Sequence, residues 1–439
     1  MLASGVSLAD TDQLADKLKL QAKQVFASPG FVIAFCEDAT LVYNVRQSPP
    51  QQVASLEPPF EGFFRGGEIY LREGAVIVDS LRDAVIIVEN QLHVWGLGDG
   101  RCQRSIGLFG SIYESVLYDN GSVLVATADE KIEDGETEEE TWMLVCNPFN
   151  LEPEGYDFSS TACIPTPDRL QFYHPALFSV AGGILAGEHT SLTEQPLKLH
   201  YWKPATPTGA DMGPPVSRTE IPISLPEAES IVAKYATTGG DDAIVLATLE
   251  TVLDCPDGPG VHQSTIRLIR TPSLEIAWEA DPIPGRISSL HYINECKVVI
   301  AIGKSALDVE DKLIHFTWIV ALDAQTGQKI QFARLHPDSL GGRLVACKLV
   351  QPPETLKDIA LSGVAEIILV TAAGNIAKLS LTSYLDDGLS SENIAKLAEN
   401  VNSSKLKFQE VLRLDGRLSI SHQCIAAVDD DGFLSIFRW

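Results

Sequence analysis

The fold is decided by the last seventeen residues, Gln423-Cys-Ile-Ala-Ala-Val-Asp-Asp-Asp-Gly-Phe-Leu-Ser-Ile-Phe-Arg-Trp439. An apolar run of five residues is followed by a turn that ends in Gly432 and then by a run that alternates between apolar and polar residues. This order is typical of a β-hairpin. The second strand of such a hairpin must still have its edge covered, so we expect the N-terminal segment 1–29 to meet the C-terminal strand.

Similar two-strand units recur upstream, with starts separated by roughly fifty-five residues. Eight pairs are found, at 31–35/41–45, 84–88/92–95, 123–127/142–146, 183–187/197–202, 243–249/266–269, 298–302/315–322, 367–371/376–381 and 424–428/433–439. A third short run follows most pairs, at 102–106, 218–223, 275–278, 330–335 and 408–412. A fourth run precedes several pairs, at 115–118, 231–235, 287–292 and 343–349. Four antiparallel strands per repeated unit indicate the blades of a β-propeller.

The first strand of each pair supports this interpretation because it is apolar at nearly every position. Val298-Val-Ile-Ala-Ile302 and Glu366-Ile-Ile-Leu-Val370 are examples. A strand that is apolar on both faces must be covered on both, as it is when neighbouring blades sandwich it. We therefore predict an all-β chain with residues 1–439 in a single propeller, closed by pairing of its N- and C-terminal strands. Eight blades are counted and seven is the alternative; segment 7–27 fits a helix or a strand.

Three segments carry a family resemblance. Ile319-Val-Ala-Leu-Asp-Ala-Gln-Thr-Gly-Gln-Lys-Ile330 resembles the third strand, turn and fourth strand of a WD40 repeat, and residues 93–102 and 428–439 are similar to the same feature. The chain departs from the family pattern because it has no Trp-Asp dipeptide and no Gly-His dipeptide. The resemblance implies a divergent WD40-like β-propeller.

The charge balance restricts the partners. The chain has 59 acidic and 33 basic residues, a formal net charge of −26, and no run of four Lys or Arg. This field repels polyanions, so we expect no direct nucleic-acid binding; it suits either a soluble surface or a basic protein partner.

None of the eight cysteines lies within four residues of another, which favours thiols in the nucleus or cytoplasm over secretion. The start lacks the pattern of a signal peptide, and no apolar run is long enough to span a membrane.

The sequence indicates no catalytic residue, metal site or cofactor. His93, His200 and His315 lie in predicted strands, where packed histidines are commoner than ligands. The Asp-Asp-Asp-Gly of 429–432 lacks the spacing of a calcium loop. No Gly-x-Ser-x-Gly is present, and a glycine cluster at 96–100 is read as a turn. A repeat similar to that of quinoprotein propellers at 322–328 lacks the tryptophan that docks the cofactor.

Three insertions are candidates for function, because connections between strands project from the ends of a propeller. They are an acidic insertion at 129–141, a Pro/Gly loop at 203–216 and a helical insertion at 384–405. The acidic insertion is expected to be either a solvated connection or a clamp for a basic segment, through Asp129, Glu130, Glu133, Asp134, Glu136, Glu138, Glu139 and Glu140. In the helical insertion, Ser390 and Ser391 precede an amphipathic pattern at 391–401 that either packs against the propeller or offers Ile394, Leu397 and Val401 to a partner.

The function that this combination favours is a non-catalytic scaffold for protein–protein interaction, a subunit of a multi-protein complex in the nucleus or cytoplasm. One alternative is a chaperone or adaptor that binds a basic client through the acidic surface. The other is a propeller hydrolase with its site in the central channel.

Overall fold

The computed structural model describes residues 16–28, 30–36, 39–47, 49–57, 71–78, 83–88, 91–107, 111–117, 123–133, 136–146, 162–165, 176–188, 196–203, 216–225, 228–240, 242–252, 261–309, 312–336, 344–350, 365–371, 375–387, 402–403, 418–420, 424–428 and 432–438. Most of the described residues are in strands.

The first seventeen strands lie before residue 222. They are β1 (Asp16–Lys19), β2 (Ala22–Ser28), β3 (Phe31–Cys36), β4 (Thr40–Asn44), β5 (Gln51–Leu56), β6 (Leu71–Val78), β7 (Asp83–Val88), β8 (Gln91–Gly96), β9 (Cys102–Gly107), β10 (Ser111–Leu117), β11 (Val123–Glu133), β12 (Glu136–Cys146), β13 (Ala162–Pro165), β14 (Ala176–Val180), β15 (Gly183–Glu188), β16 (Leu197–Trp202) and β17 (Ser217–Ile221).

Sixteen further strands and one short helix follow. They are β18 (Ser230–Thr238), β19 (Ala243–Val252), β20 (Val261–Arg270), β21 (Glu275–Glu279), β22 (Ile283–Pro284), β23 (Arg286–Ile293), β24 (Val298–Val309), β25 (Lys312–Asp323), β26 (Lys329–Leu335), β27 (Leu344–Val350), β28 (Glu366–Thr371), β29 (Asn375–Ser380), α1 (Leu381–Asp387), β30 (Asn402–Ser403), β31 (Leu418–Ile420), β32 (Cys424–Val428) and β33 (Phe433–Arg438).

These strands form eight antiparallel sheets within the described ranges. Sheets 1 to 7 are β2–β5, β6–β9, β10–β13, β14–β17, β18–β22, β23–β26 and β27–β30, and sheet 8 has the order β31-β32-β33-β1. Sheets 1 to 7 have their strands in sequence order, with β22 of sheet 5 also pairing with β20, and sheet 8 takes its fourth strand, β1, from the N-terminal end of the chain. The eight predicted pairs are therefore confirmed, and each supplies the second and third strands of one sheet.

The chain divides into two compact units, one formed by Met1–Ser105 with Ala333–Trp439 and the other by Ile106–Phe332. In the first unit, β3 is buried on both faces. Its residues Phe31, Ile33 and Phe35 pack in one cluster with Ala84 and Trp95 of sheet 2. The alternate residues of β3 pack in a second cluster with side chains of sheet 8. The same strand therefore joins two neighbouring sheets.

The second unit repeats this arrangement around β19. Ile244 and Leu246 pack with side chains of sheet 4, whereas Val245 and Ala247 pack with side chains of sheet 6. Full burial of each such aliphatic side chain contributes roughly 1.5–3 kcal/mol. The prediction that the first strand of each pair is covered on both faces is confirmed at β3 and β19.

The N-terminal segment completes the last sheet, as predicted, and it does so as a strand. β1 pairs antiparallel with β33, with Leu18 opposite Leu434. The chain then turns at Gln21, and the backbone N–H of Ala22 donates to the carbonyl of Gly432 at 2.9 Å. The N- and C-terminal strands of the described chain thus lie in one sheet, and β2 begins the next.

Two of the predicted elements are not tested. The predicted third run at 408–412 and the amphipathic pattern at 391–401 lie outside the described residues. The described helix α1 lies upstream of that pattern and buries Tyr384 completely.

Gly432 provides a test of the junction between β1 and β33. It has a φ of +76°, and a Cβ atom there would lie 2.8 Å from Gln21 Cα. We expect Gly432→Ala to lower the free energy of unfolding by about 2–4 kcal/mol, since left-handed strain adds to a backbone clash. Gly182→Ala is the matched control: its φ is +67° with nothing within 4 Å, so only the strain of about 1–2 kcal/mol applies. Equal losses in urea unfolding would contradict the close packing of the junction.

Candidate interaction surfaces

The acidic insertion is a pair of strands and not an open connection. Residues 129–133 end β11 and residues 136–140 begin β12, and the two segments pair with each other in continuous register. β10 pairs with β11 only as far as Ala128, and β13 pairs with β12 only from Trp142 onward. The paired segments, called the acidic arm below, therefore extend past both flanking strands.

The register of the acidic arm places like charges opposite one another. Asp129 is opposite Glu140, Glu130 is opposite Glu139, and Glu133 is opposite Glu136. Lys131 opposite Glu138 is the one pair of unlike charge in the arm. Like charges directly opposite in an antiparallel pair are destabilising by roughly 0.2–1 kcal/mol each, so a cationic partner would relieve a cost that the arm carries by itself. Asp134 lies outside the described residues.

The other predicted partner-binding residues are not placed. Ile394, Leu397 and Val401 lie outside the described residues, as do residues 204–215 of the Pro/Gly loop.

The structure instead reveals exposed apolar side chains on outer strands, which the sequence analysis did not single out. Ile330 and Phe332 of β26 are 43% and 40% exposed and are two residues apart on an edge strand. Lys329 Nζ lies 5.5 Å from the centre of the Phe332 ring. The other exposed large apolar residues among those described are Val53, Val216 and Ile276, which lie on or beside β5, β17 and β21. An alternation of polar and apolar residues could have signalled these outer strands, but it does not show which positions face solvent.

The segment that resembles a WD40 repeat forms the strand, turn and strand that the resemblance implies. β25 ends at Asp323, whose carboxylate accepts from the backbone N–H of Gln325 at 3.0 Å and of Thr326 at 2.8 Å. The Thr326 hydroxyl also donates to it at 2.8 Å. Hydrogen bonds from Thr326 lower the pKa of Asp323, so the ionised carboxylate holds the turn.

Histidines recur at equivalent third-strand positions, two residues before a tryptophan. His93 and His200 are buried, and each packs beside Trp95 or Trp202, at ring-centre distances of 5.4 Å and 5.9 Å. His93 Nδ1 lies 2.9 Å from the Ser105 hydroxyl. Burial lowers the pKa of His93 to about 4, so this imidazole is neutral at physiological pH. The prediction of packed strand histidines holds for these two, whereas His315 is exposed.

A buried carboxylate fixes the connection from sheet 4 to sheet 5. Glu250 on β19 is fully buried, and its oxygens accept from the Ser224 hydroxyl at 2.7 Å and from the Leu225 backbone N–H at 2.6 Å. The Ser224 backbone N–H also donates to it. A buried charge with several donors indicates a structural role for this residue.

Other site chemistry is limited within the described residues. No group of three or more His, Cys, Asp or Glu side chains there could hold a metal ion. Cys36, Cys102, Cys296, Cys347 and Cys424 are free thiols. Among the described residues, no helix is long and apolar enough to cross a membrane.

Comparison with known proteins places the fold. No protein-family model and no curated protein matches the sequence. Among solved structures, the Dos1 propeller is similar with a TM-score of 0.52 at 10% identity, covering 98% of this chain and 97% of that one. The Cps50 (Swd1) β-propeller domain of Myceliophteria thermophila has a TM-score of 0.40 at 11% identity, covering 97% and 99%. A chain of the mitotic checkpoint complex has a TM-score of 0.44 at 9% identity, covering 85% and 89%.

The Dos1 similarity extends over almost the whole of both chains, and the sheets have the order expected of blades. The protein therefore has a β-propeller fold built from four-stranded antiparallel blades. Eight such sheets lie within the described residues, in agreement with the predicted count of eight and not with seven.

The buried state of His93 predicts a pH dependence. Its folded pKa is lowered, so the unfolded chain binds the proton more readily, and stability falls as pH drops from about 6.5 towards 4. We expect this residue to contribute up to about 3 kcal/mol to that loss. His93→Gln should flatten the dependence in urea unfolding series between these pH values. Equal slopes for wild type and His93→Gln would contradict the buried neutral imidazole.

Substitution of Glu250 should lower the free energy of unfolding through the loss of a hydrogen-bond acceptor. Glu250→Gln replaces one acceptor oxygen by a donor in front of backbone N–H groups, so we expect a loss of about 2–3 kcal/mol. Faster amide hydrogen exchange at Ser224 and Leu225 should accompany it. Glu220→Gln, an exposed change on β17, is the control and should alter stability by less than about 0.5 kcal/mol. Protection at Ser224 that survives Glu250→Gln would show that another group holds the connection.

Proposed function

We propose that the protein is a non-catalytic scaffold for protein–protein interaction and a subunit of a multi-protein assembly in the nucleus or cytoplasm. The observation that carries this proposal is the acidic arm, which extends beyond its sheet and pairs with no further strand in the described chain. A two-stranded extension with like charges opposed adds little to stability, so a role in binding accounts better for its presence.

The outer strands support the same proposal. The sandwiched faces of the sheets are used for folding, which leaves open strand edges as surfaces for partners. On β26 the edge combines exposed Ile330 and Phe332 with Lys329, a mixture of apolar and polar groups of the kind found in protein interfaces.

The register of the acidic arm favours a second, narrower function, that of an adaptor or chaperone for a basic client. Positions 129, 133, 136, 138 and 140, all acidic, share one face of the paired arm with Lys131, because residues alternate between faces and opposed positions coincide. A Lys/Arg-rich segment laid along that face would neutralise the repulsion between opposed acids. Such binding depends strongly on salt.

The arm can be removed without disturbing its sheet. Ala128 and Thr141 are register partners, so replacement of residues 129–140 by Asn-Gly closes the hairpin with a two-residue turn. We expect this variant to bind a synthetic Lys/Arg-rich peptide about tenfold more weakly or worse at low salt, measured by fluorescence anisotropy. The difference should vanish at about 0.5 M salt, where the Debye length falls to a few ångström.

An arm without acidic residues is the matched control. The eight acidic residues of 129–140 are changed to their amides, which keeps the length of the arm. It should lose binding as the Asn-Gly variant does. Retained affinity would exclude charge as the basis of client binding.

The broader proposal is tested by affinity purification of the full chain from cells under mild salt, where reproducible protein partners are expected. Recovery of the chain alone would contradict it.

A further inference from the structure

A basic pair lies at the start of sheet 6, within the second unit. Arg286 is the first residue of β23, and its register partner on β24 is Lys304. Both are exposed. Directly opposed residues of an antiparallel pair have Cβ atoms about 4.5–5.5 Å apart, so two positive charges are held side by side. This is an unfavourable arrangement in a chain that has a large surplus of acids.

Neither charge has an acidic partner among the described side chains. The contact described for Arg286 is with His262, and Lys304 has none. Thr251 is the register partner of His262, and the described acidic residue next to Thr251 on β19 is Glu250. The Glu250 carboxylate accepts from Ser224 and Leu225. Within the described part of the chain, no carboxylate neutralises the pair, which is the arrangement that an external anion would fit.

His262 holds the guanidinium of Arg286 in place. Arg286 Nη2 donates to His262 Nε2 at 2.5 Å, and His262 Nδ1 faces the Thr251 hydroxyl at 3.2 Å. Burial, and then the charge of Arg286, lower the pKa of His262, so the imidazole is a neutral acceptor at physiological pH. The remaining guanidinium N–H groups are left available to a ligand.

The backbone before Arg286 is fixed as well. Gly285 has a φ of +111°, its N–H donates to the His262 carbonyl at 2.7 Å, and its carbonyl accepts from the buried Ser264 hydroxyl at 2.8 Å. A Cβ atom at this position would collide with the backbone of Lys304. The two chain segments therefore approach closely, and the pair is organised before any ligand arrives.

We propose that Arg286 and Lys304 bind the phosphate group of a phosphorylated Ser or Thr in a partner protein, with His262 as a positioning residue for Arg286. A phosphate monoester carries a charge between about −1.5 and −2 at neutral pH, which matches two unpaired cations, and it offers several acceptor oxygens to a guanidinium fork and an ammonium. The inference rests on the proposed scaffold function, whose partners it specifies.

A phosphopeptide fits better than the other common carriers of phosphate. The net charge of −26 repels an anionic membrane or a nucleic acid as a whole, whereas a single phosphate on a peptide meets only the local field of the pair.

The test uses fluorescein-labelled peptides of random sequence around a central phosphoserine, with the unphosphorylated mixture for comparison, measured by anisotropy on the full chain. Wild type should bind the phosphorylated mixture about tenfold more tightly or better, and inorganic phosphate should compete more effectively than chloride at equal ionic strength. Arg286→Gln and Lys304→Gln should each remove that preference. Lys234→Gln, an exposed lysine on β18, should keep it.

Two further readouts separate binding from folding. Because each Gln variant removes one of two opposed positive charges, its thermal midpoint should be unchanged or raised while phosphopeptide binding falls. His262→Leu should weaken binding, and His262→Gln, which keeps an acceptor for Arg286, should restore most of it.

Equal affinity for both peptide mixtures, or undiminished preference in the Gln variants, would overturn the proposal. So would pair-dependent sedimentation with vesicles of phosphatidylcholine and phosphatidylinositol monophosphate in the absence of phosphopeptide binding. Affinity purification distinguishes this failure from that of the scaffold proposal. If the Arg286→Gln/Lys304→Gln double variant retains every partner of wild type, only the phosphate inference fails; if wild type recovers none, the scaffold proposal fails.

Discussion

The structure depends on burial of both faces of the second strand in a sheet. β3 and β19 show it most clearly, because their alternate residues belong to two different clusters, one with the preceding sheet and one with the following sheet. Such a strand is unstable in an isolated sheet, since both of its apolar faces would then lie in water. Stacking neighbours against it therefore supplies much of the free energy of folding, and the requirement is met at β3 in the first unit and at β19 in the second.

The same requirement explains the borrowed strand of sheet 8. Leu434 and Ile436 on β33 are fully buried, and they belong to a cluster that also contains Ala22 and Val25 of β2. Leu18 of β1 packs against that cluster while its strand covers the edge of β33. Both backbone pairing and apolar burial therefore join the N- and C-terminal strands. The close approach at Gly432 follows from the short turn between β1 and β2.

Charge is organised around this apolar framework. Where a charged group is buried, it has defined partners: Glu250 accepts from the connection to sheet 5, and Arg267 binds Glu279 at 2.6 Å and the Thr248 hydroxyl at 2.6 Å. At two places the strand register sets residues of like charge opposite each other: in the acidic arm, and at Arg286 and Lys304. Both places are electrostatically unfavourable in the isolated chain, and each fits a ligand of opposite sign.

The sequence by itself determined the repeat and the paired strands, because a strand covered on both faces must be apolar at successive positions, as in Val298-Val-Ile-Ala-Ile302. It also determined the turn at Asp323, since short-range hydrogen bonds need only neighbouring residues. Outer strands such as β5 were missed because half of their positions face water and few apolar residues are required. The strand pairing of the acidic arm was not predicted, since acidic residues favour strands poorly and opposed like charges oppose pairing. Only the tertiary structure could place Arg286 beside Lys304 and His262, because register and the linker between sheets bring together residues that are far apart in the chain.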